Sequence, residues 1–146
     1  MANFLLLNGA NLNLLGTREP EIYGETTLES LIENLSRQAE KEGHKLHHFQ
    51  SNAEHELVER IHRSQEENVR CIVFNPGAFT HSSISIRDAL SGIQVPFIEI
   101  HISNIYSRED FRHKSFLSEI ALGVISGLGV EGYELALRVA MEKFND

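Results

Sequence analysis

The sequence predicts an α/β fold: a five-stranded parallel sheet in the order 2-1-3-4-5, with helices on both faces. Three observations point there. Short apolar runs of strand length alternate with segments whose apolar residues recur at helical spacing. The middle run, Val69–Asn75, is apolar almost throughout, the pattern of a strand covered on both sides. The length, 146 residues, suits one domain (1–146) with a sizeable core.

Strand 1 spans Asn3–Asn8. The stretch after it, about 9–25, is far longer than a strand-to-helix loop usually runs. It keeps Leu12, Leu14, Leu15 and Ile22 for packing, sets Asn11, Asn13, Arg18 and Tyr23 between them, and offers Gly9, Gly16 and Gly24 as bends. A long, partly apolar loop with a cation and a phenol reads as an active-site lid; a structural loop with solvated polar groups is the plainer alternative. Thr26 to Glu29 fits a capping box, and Leu28, Leu31, Ile32, Leu35 and Ala39 then trace a helical face that Gly43 stops. Lys45–Gln50 is a polar strand of sheet-edge character, and Ser51 with Glu54 offers a second capping box before a helix carrying Ala53, Leu57, Val58 and Ile61. Pro76-Gly77 breaks strand 3. A helix is predicted over 82–91, a strand over 95–102, an irregular polar segment over 103–118, a strand over 120–126 and a final helix over 131–144. This is the flavodoxin-like arrangement, in which ligands bind beyond the carboxyl ends of the strands where the order reverses.

Composition narrows the partners. A formal charge of −8 disfavours nucleic acid and an anionic membrane surface, without forbidding a small anion in a locally basic pocket. The one cysteine, Cys71, sits in an apolar run, so there is no disulfide framework, and a reducing, cytoplasmic compartment fits. No segment reads as a signal peptide or a membrane span.

The strand ends therefore hold the chemistry. Strand 1 ends at Asn8, strand 3 at Asn75 with His81 close behind, and strand 4 carries Glu99 and His101. Glu99 and His101 are two apart, hence on one face, and a carboxylate beside an imidazole fixes its tautomer and suits it to act as an acid. A metal pair is the alternative, but a third ligand is missing. Tyr23 fits a packed aromatic or a base. A phenol titrates near 10, so a tyrosinate near neutrality needs stabilisation of about 4 kcal/mol, for which Arg18 is the candidate source. Asn75 and Ser103 fit either turn chemistry or substrate binding; Arg108 and Arg112 bind an anion or a diol, or face water. Asp88 lies on a helix, away from the site of its own chain. The phosphate-binding glycine fingerprints are absent after strand 1.

The runs Leu7 to Gly24, Asn75 to Ser83 with Arg87 to Leu90, Glu99 to Ile105, Arg108 to Arg112, and Gly123 to Gly129 resemble the type II 3-dehydroquinases over essentially the whole chain. The resemblance implies the flavodoxin-like fold and a cofactor-free, metal-free trans-dehydration of 3-dehydroquinate to 3-dehydroshikimate in the shikimate pathway, through an enolate. It implies that Tyr23 is the proton acceptor, that Arg18 holds it as tyrosinate, that Asn11 holds a water on the enolate oxygen, and that His101, oriented by Glu99, is the proton donor. Asn75, His81 and Arg112 would bind ring hydroxyls, and Ile102 and Ser103 the carboxylate. Asp88 would reach a neighbouring subunit of a dodecamer built from trimers. Ala10, Phe79 and Ser83 depart from the family's common residues without removing an assigned group. Two other readings fit a polar crevice of this kind: a module that binds a flavin or small anion, and a lyase for another β-hydroxy keto acid.

Overall fold

The computed structural model describes residues 1–145, and the backbone alone of Tyr23. Five parallel strands, β1 (Asn3–Asn8), β2 (Lys45–Gln50), β3 (Val69–Asn75), β4 (Phe97–His101) and β5 (Gly123–Ser126), lie in the order β2-β1-β3-β4-β5. Five α-helices join and cover them: α1 (Pro20–Tyr23), α2 (Leu28–Lys41), α3 (Glu54–Glu66), α4 (Ile84–Ser91) and α5 (Glu131–Lys143).

Strand alternation divides the core in two. Phe4, Leu6, Cys71, Val73, Ile98 and Ile100 meet α2 and α5 on one face. Leu5, Leu7, Ile72, Phe74 and Phe97 meet α3 and α4 on the other. Full burial of a Leu, Ile or Phe side chain is worth about 1.5–3 kcal/mol, so the inner strands β1 and β3, apolar on both faces, anchor the sheet. β2 is an edge strand, as its polar sequence predicts. β4 and β5 are shorter than predicted. Val95 and Pro96 precede the paired part of β4, and 120–122 are taken up by the end of a 3-10 turn and a bend.

Two caps differ from expectation. Thr27, not Thr26, is the N-cap of α2, its hydroxyl accepting from the Ser30 amide at 3.2 Å. Glu29 therefore lies in the first turn, where its charge favours the helix dipole. Ser51 and Glu54 form no capping box. Ser51 instead takes the Ala53 amide at 2.9 Å and donates to the Glu56 carboxylate, and Ala53 is the N-cap of α3. The helix predicted from 82 begins at Ile84, after a 3-10 turn over Gly77–His81, with Ser83 capping the Ile86 amide at 3.0 Å.

At the order reversal, β1 and β3 come together at their carboxyl ends. Asn8 stands opposite Asn75, and the Gly9 amide donates to the Asn75 carbonyl at 2.7 Å. Only a glycine fits there, because a Cβ on residue 9 would lie 2.1 Å from the Pro76 carbonyl oxygen. The stretch between β1 and α2 is structured, with a 3-10 turn over Leu12–Leu14 and then α1. Leu12 and Leu15 pack into the core as expected, whereas Leu14 and Ile22 are exposed. Among the described residues no helix is long and apolar enough to cross a membrane.

Candidate active site

A cavity of about 200 Å³ opens beyond the carboxyl ends of the strands. The residues of the 9–25 stretch that line it are Ala10, Asn11, Leu12, Leu14, Leu15 and Arg18. Asn75, Gly77, Ala78 and His81 come from the end of β3 and its turn, and His101, Ile102, Ser103, Ile105, Arg108 and Arg112 from β4 and the segment after it. Eight of the residues singled out in the sequence thus converge: Asn11, Arg18, Asn75, His81, His101, Ile102, Ser103 and Arg112.

His101 is the last residue of β4 and is almost wholly buried. Its Nε2 meets Glu99 Oε2 at 2.5 Å, and Nδ1 has no hydrogen-bond partner among the described residues. Glu99 itself is fully buried and does not line the cavity; it lies behind His101. A buried carboxylate survives only if its lone pairs are filled. Here Oε2 also accepts from the Thr80 hydroxyl at 3.2 Å, and Oε1 accepts from the Ser118 hydroxyl at 2.9 Å. Thr80 and Ser115 share a 2.6 Å hydroxyl–hydroxyl bond that closes the cradle. Burial pushes the Glu99 carboxyl up, but the hydrogen bond and charge of His101, with the hydroxyls of Ser118 and Ser115, outweigh it. The net result is a carboxyl held below its ordinary range. The pair is a charge-fixed imidazole on a rigid strand.

Around it the other groups are held less deeply. His81 Nδ1 bonds the Lys114 carbonyl at 2.8 Å, so that nitrogen carries the proton. Burial holds His81 below its ordinary 6.5, with the charges of His101 and Arg112 acting the same way against the pull of the Lys114 carbonyl and Glu99. Arg112 Nε bonds Glu109 at 2.9 Å, and Arg108 donates to the Ser103 hydroxyl at 3.4 Å. The cavity wall is thus basic in a chain of net negative charge, the pattern that collects a small anion. Asn11 sits in the left-handed region at φ 70°, its amide bonded to Asn52 Oδ1 at 2.8 Å.

Two expected site residues stand apart. Asp88 is exposed on α4 and does not line the cavity, as the sequence anticipates. The side chain of Tyr23 lies outside the described residues; its backbone ends α1, in the same stretch as Arg18. Sequence reasoning left Arg108 open between ligand and solvent, and it lines the cavity. It missed Thr80 and Ser118, whose hydroxyls reach Glu99 from 19 residues away, Ser115, which bonds the Thr80 hydroxyl, and Tyr133, which reaches Asn75 from 58 residues away. It also missed Asn52 and Gln50, which hold the start of the 9–25 stretch through Asn11 and the Gly9 carbonyl.

Comparison with known proteins agrees with this architecture. The family model described as dehydroquinase class II matches residues 2–141. A 3-dehydroquinate dehydratase of Thioalkalivibrio sulfidiphilus is 62% identical over 141 residues, covering 97% of this chain and 96% of the relative. One from Proteus mirabilis is 59% identical over 143 residues, covering 98% and 97%. Among solved structures, the type II dehydroquinase from Propionibacterium acnes superposes with a TM-score of 0.92 at 42% identity, over 97% of each chain.

Proposed function

The chain belongs to the class II dehydroquinase family, and from that premise we propose that it is the hydro-lyase that dehydrates 3-dehydroquinate to 3-dehydroshikimate in the shikimate pathway. The observation that carries the reading is the convergence of a basic, hydrogen-bonding cavity on His101, an imidazole backed by the buried Glu99 carboxylate.

Loss of a hydroxyl β to a ketone needs a base for a weak carbon acid, stabilisation of the enolate oxygen, and an acid for the leaving group. Tyr23, held as tyrosinate by Arg18, takes the proton next to the ketone. The charge that develops on the carbonyl oxygen is met by a water on Asn11, whose backbone is pinned by Asn52. The C–O bond then breaks, and the departing hydroxyl leaves as water with a proton from His101. The Glu99 carboxylate stabilises the imidazolium before that transfer and fixes its direction, since it engages Nε2 and leaves Nδ1 for the reacting side. Asn75, His81 and Arg112 bind the ring hydroxyls; the Ile102 and Ser103 amides with the Ser103 hydroxyl hold the carboxylate. All of these line the same cavity. The stretch 9–25 acts as a lid: it contributes Asn11 and Arg18 to the wall, and it is anchored by Leu12 and Leu15 while Leu14 and Ile22 remain exposed.

Assembly as trimers building a dodecamer is part of the proposal. It is supported by the exposed Asp88, which does not line its own cavity, and by exposed apolar side chains on and beside the edge strand β5, at Leu122, Val124 and Leu128. A cytoplasmic location accords with a single, buried, unpaired cysteine.

The test is spectrophotometric. Purified protein with 3-dehydroquinate should generate the ultraviolet band of the conjugated enone product; well-folded protein that gives no band refutes the reading.

A further inference from the structure

Tyr133 lies on α5 beneath the cavity and has no exposed surface. A phenylalanine would fill the same space, yet a buried hydroxyl is costly unless paired. Here it is paired twice. It donates to Asn8 Oδ1 at 2.7 Å and accepts from Asn75 Nδ2 at 2.7 Å. On its other side Asn75 Oδ1 accepts from the Gly77 amide at 3.0 Å.

This arrangement has a direction. A phenol carries one proton. With that proton committed to Asn8, the hydroxyl faces Asn75 as an acceptor only. Asn75 must then turn its amide nitrogen toward Tyr133 and its oxygen toward Gly77. The flipped amide would set oxygen against oxygen at Tyr133 and two donors against each other at Gly77. Burial pushes the phenol up from its ordinary 10, so the proton stays in place at working pH. The second N–H of Asn75 and the free lone pair on its oxygen are what remain for the cavity it lines.

We propose that Tyr133 is a positioning residue for substrate binding: through Asn75 it fixes which way an amide donor and an amide acceptor are presented to the substrate's ring hydroxyls. The inference rests on the reading of Asn75 as a substrate-binding group. Because Asn75 holds ground state and transition state alike, the loss falls on KM rather than kcat.

The experiment is Tyr133→Phe, alone and combined with Asn75→Ala, assayed with 3-dehydroquinate. Tyr133→Phe should raise KM about five- to tenfold, the worth of one neutral hydrogen bond, with kcat little changed. In the Asn75→Ala background the same change should add less than about twofold, because the group it acts through is gone. A Tyr133→Phe protein with a lowered Tm and an unchanged KM would make the hydroxyl merely structural and overturn the proposal; so would its full factor appearing on top of Asn75→Ala. Should Tyr133→Phe not fold, Asn8→Ala releases the phenolic proton to turn toward Asn75 and should give the same KM-selective loss; an unchanged KM there overturns it equally. Hydrogen exchange at the Asn75 side-chain amide, read by NMR without substrate, tests the positioning apart from the reaction. Exchange should be slow in the wild type and about tenfold faster in Tyr133→Phe, the same single hydrogen bond being lost; equal rates overturn the proposal even where the proposed reaction itself fails.

Discussion

Glu99→Gln isolates the charge behind His101 from everything else that Glu99 does. The carboxylate oxygens are distinguishable in the structure: Oε2 accepts from His101 and Thr80, and Oε1 from Ser118. A glutamine can therefore place its oxygen at the Oε2 position and its nitrogen toward Ser118, whose hydroxyl turns to accept instead of donate. Every hydrogen bond survives with one rotor reversed, and the fold stays intact. What is lost is charge assistance to the imidazolium. A hydrogen bond to a charged partner is worth about 1.5–3 kcal/mol and a neutral one about 1, so about 0.5–2 kcal/mol of stabilisation disappears. At 1.4 kcal/mol per tenfold, kcat should fall roughly 2- to 30-fold. KM should hardly move, because Glu99 is fully buried and does not line the cavity. Initial rates followed at the enone band across substrate concentration separate the two constants. A kcat within about twofold of wild type in a protein of native Tm would refute the role assigned to the Glu99–His101 pair.

Further outcomes follow from the same contacts. Glu99 titrates below its ordinary 4.5 in the folded chain, so its contribution to stability is complete above 4.5 and is lost as pH falls through the lower folded value. The wild-type Tm should therefore drop more steeply in acid than that of Glu99→Gln, and parallel curves would contradict this. Gly9→Ala puts a methyl 2.1 Å from the Pro76 carbonyl oxygen; the ends of β1 and β3 must part, at a cost of about 3 kcal/mol, and an unchanged denaturant midpoint would exclude the clash. Thr27→Ala should cost about 1 kcal/mol while Thr26→Ala costs little, and equal midpoints would return the cap to Thr26. Borohydride added with substrate should leave the protein active, since no imine forms on the proposed route; covalent trapping on a lysine would overturn that route.

The sheet was legible because its signal is local and repeated. β1 and β3 begin and end where the apolar runs do, since in each the buried faces are written in consecutive residues, and β2 keeps the polar span its sequence predicts. β4 and β5 were read too long, because apolar character outlasts pairing: Val95 is buried without belonging to β4. The cap of α2 was misplaced by one residue because Thr26 and Thr27 offer the same hydroxyl, and only the entry angle of the chain decides between them. Of the site, the residues on strand ends were legible, since topology alone puts Asn75, Glu99 and His101 at one edge. The supporting groups were not. Thr80, Ser118 and Tyr133 are ordinary residues in their own segments, and their meaning lies in hydrogen bonds to residues 19 to 125 positions away.

The most direct measurement of the central claim is deuterium incorporation into 3-dehydroquinate in heavy water, with wild type, Tyr23→Phe and His101→Ala side by side and the enone band recorded in the same samples. If Tyr23 removes the proton and His101 serves only the departing hydroxyl, His101→Ala should place deuterium next to the ketone while making little product, and Tyr23→Phe should do neither. Tyr23→Phe that exchanges and eliminates at the wild-type rate would contradict the account.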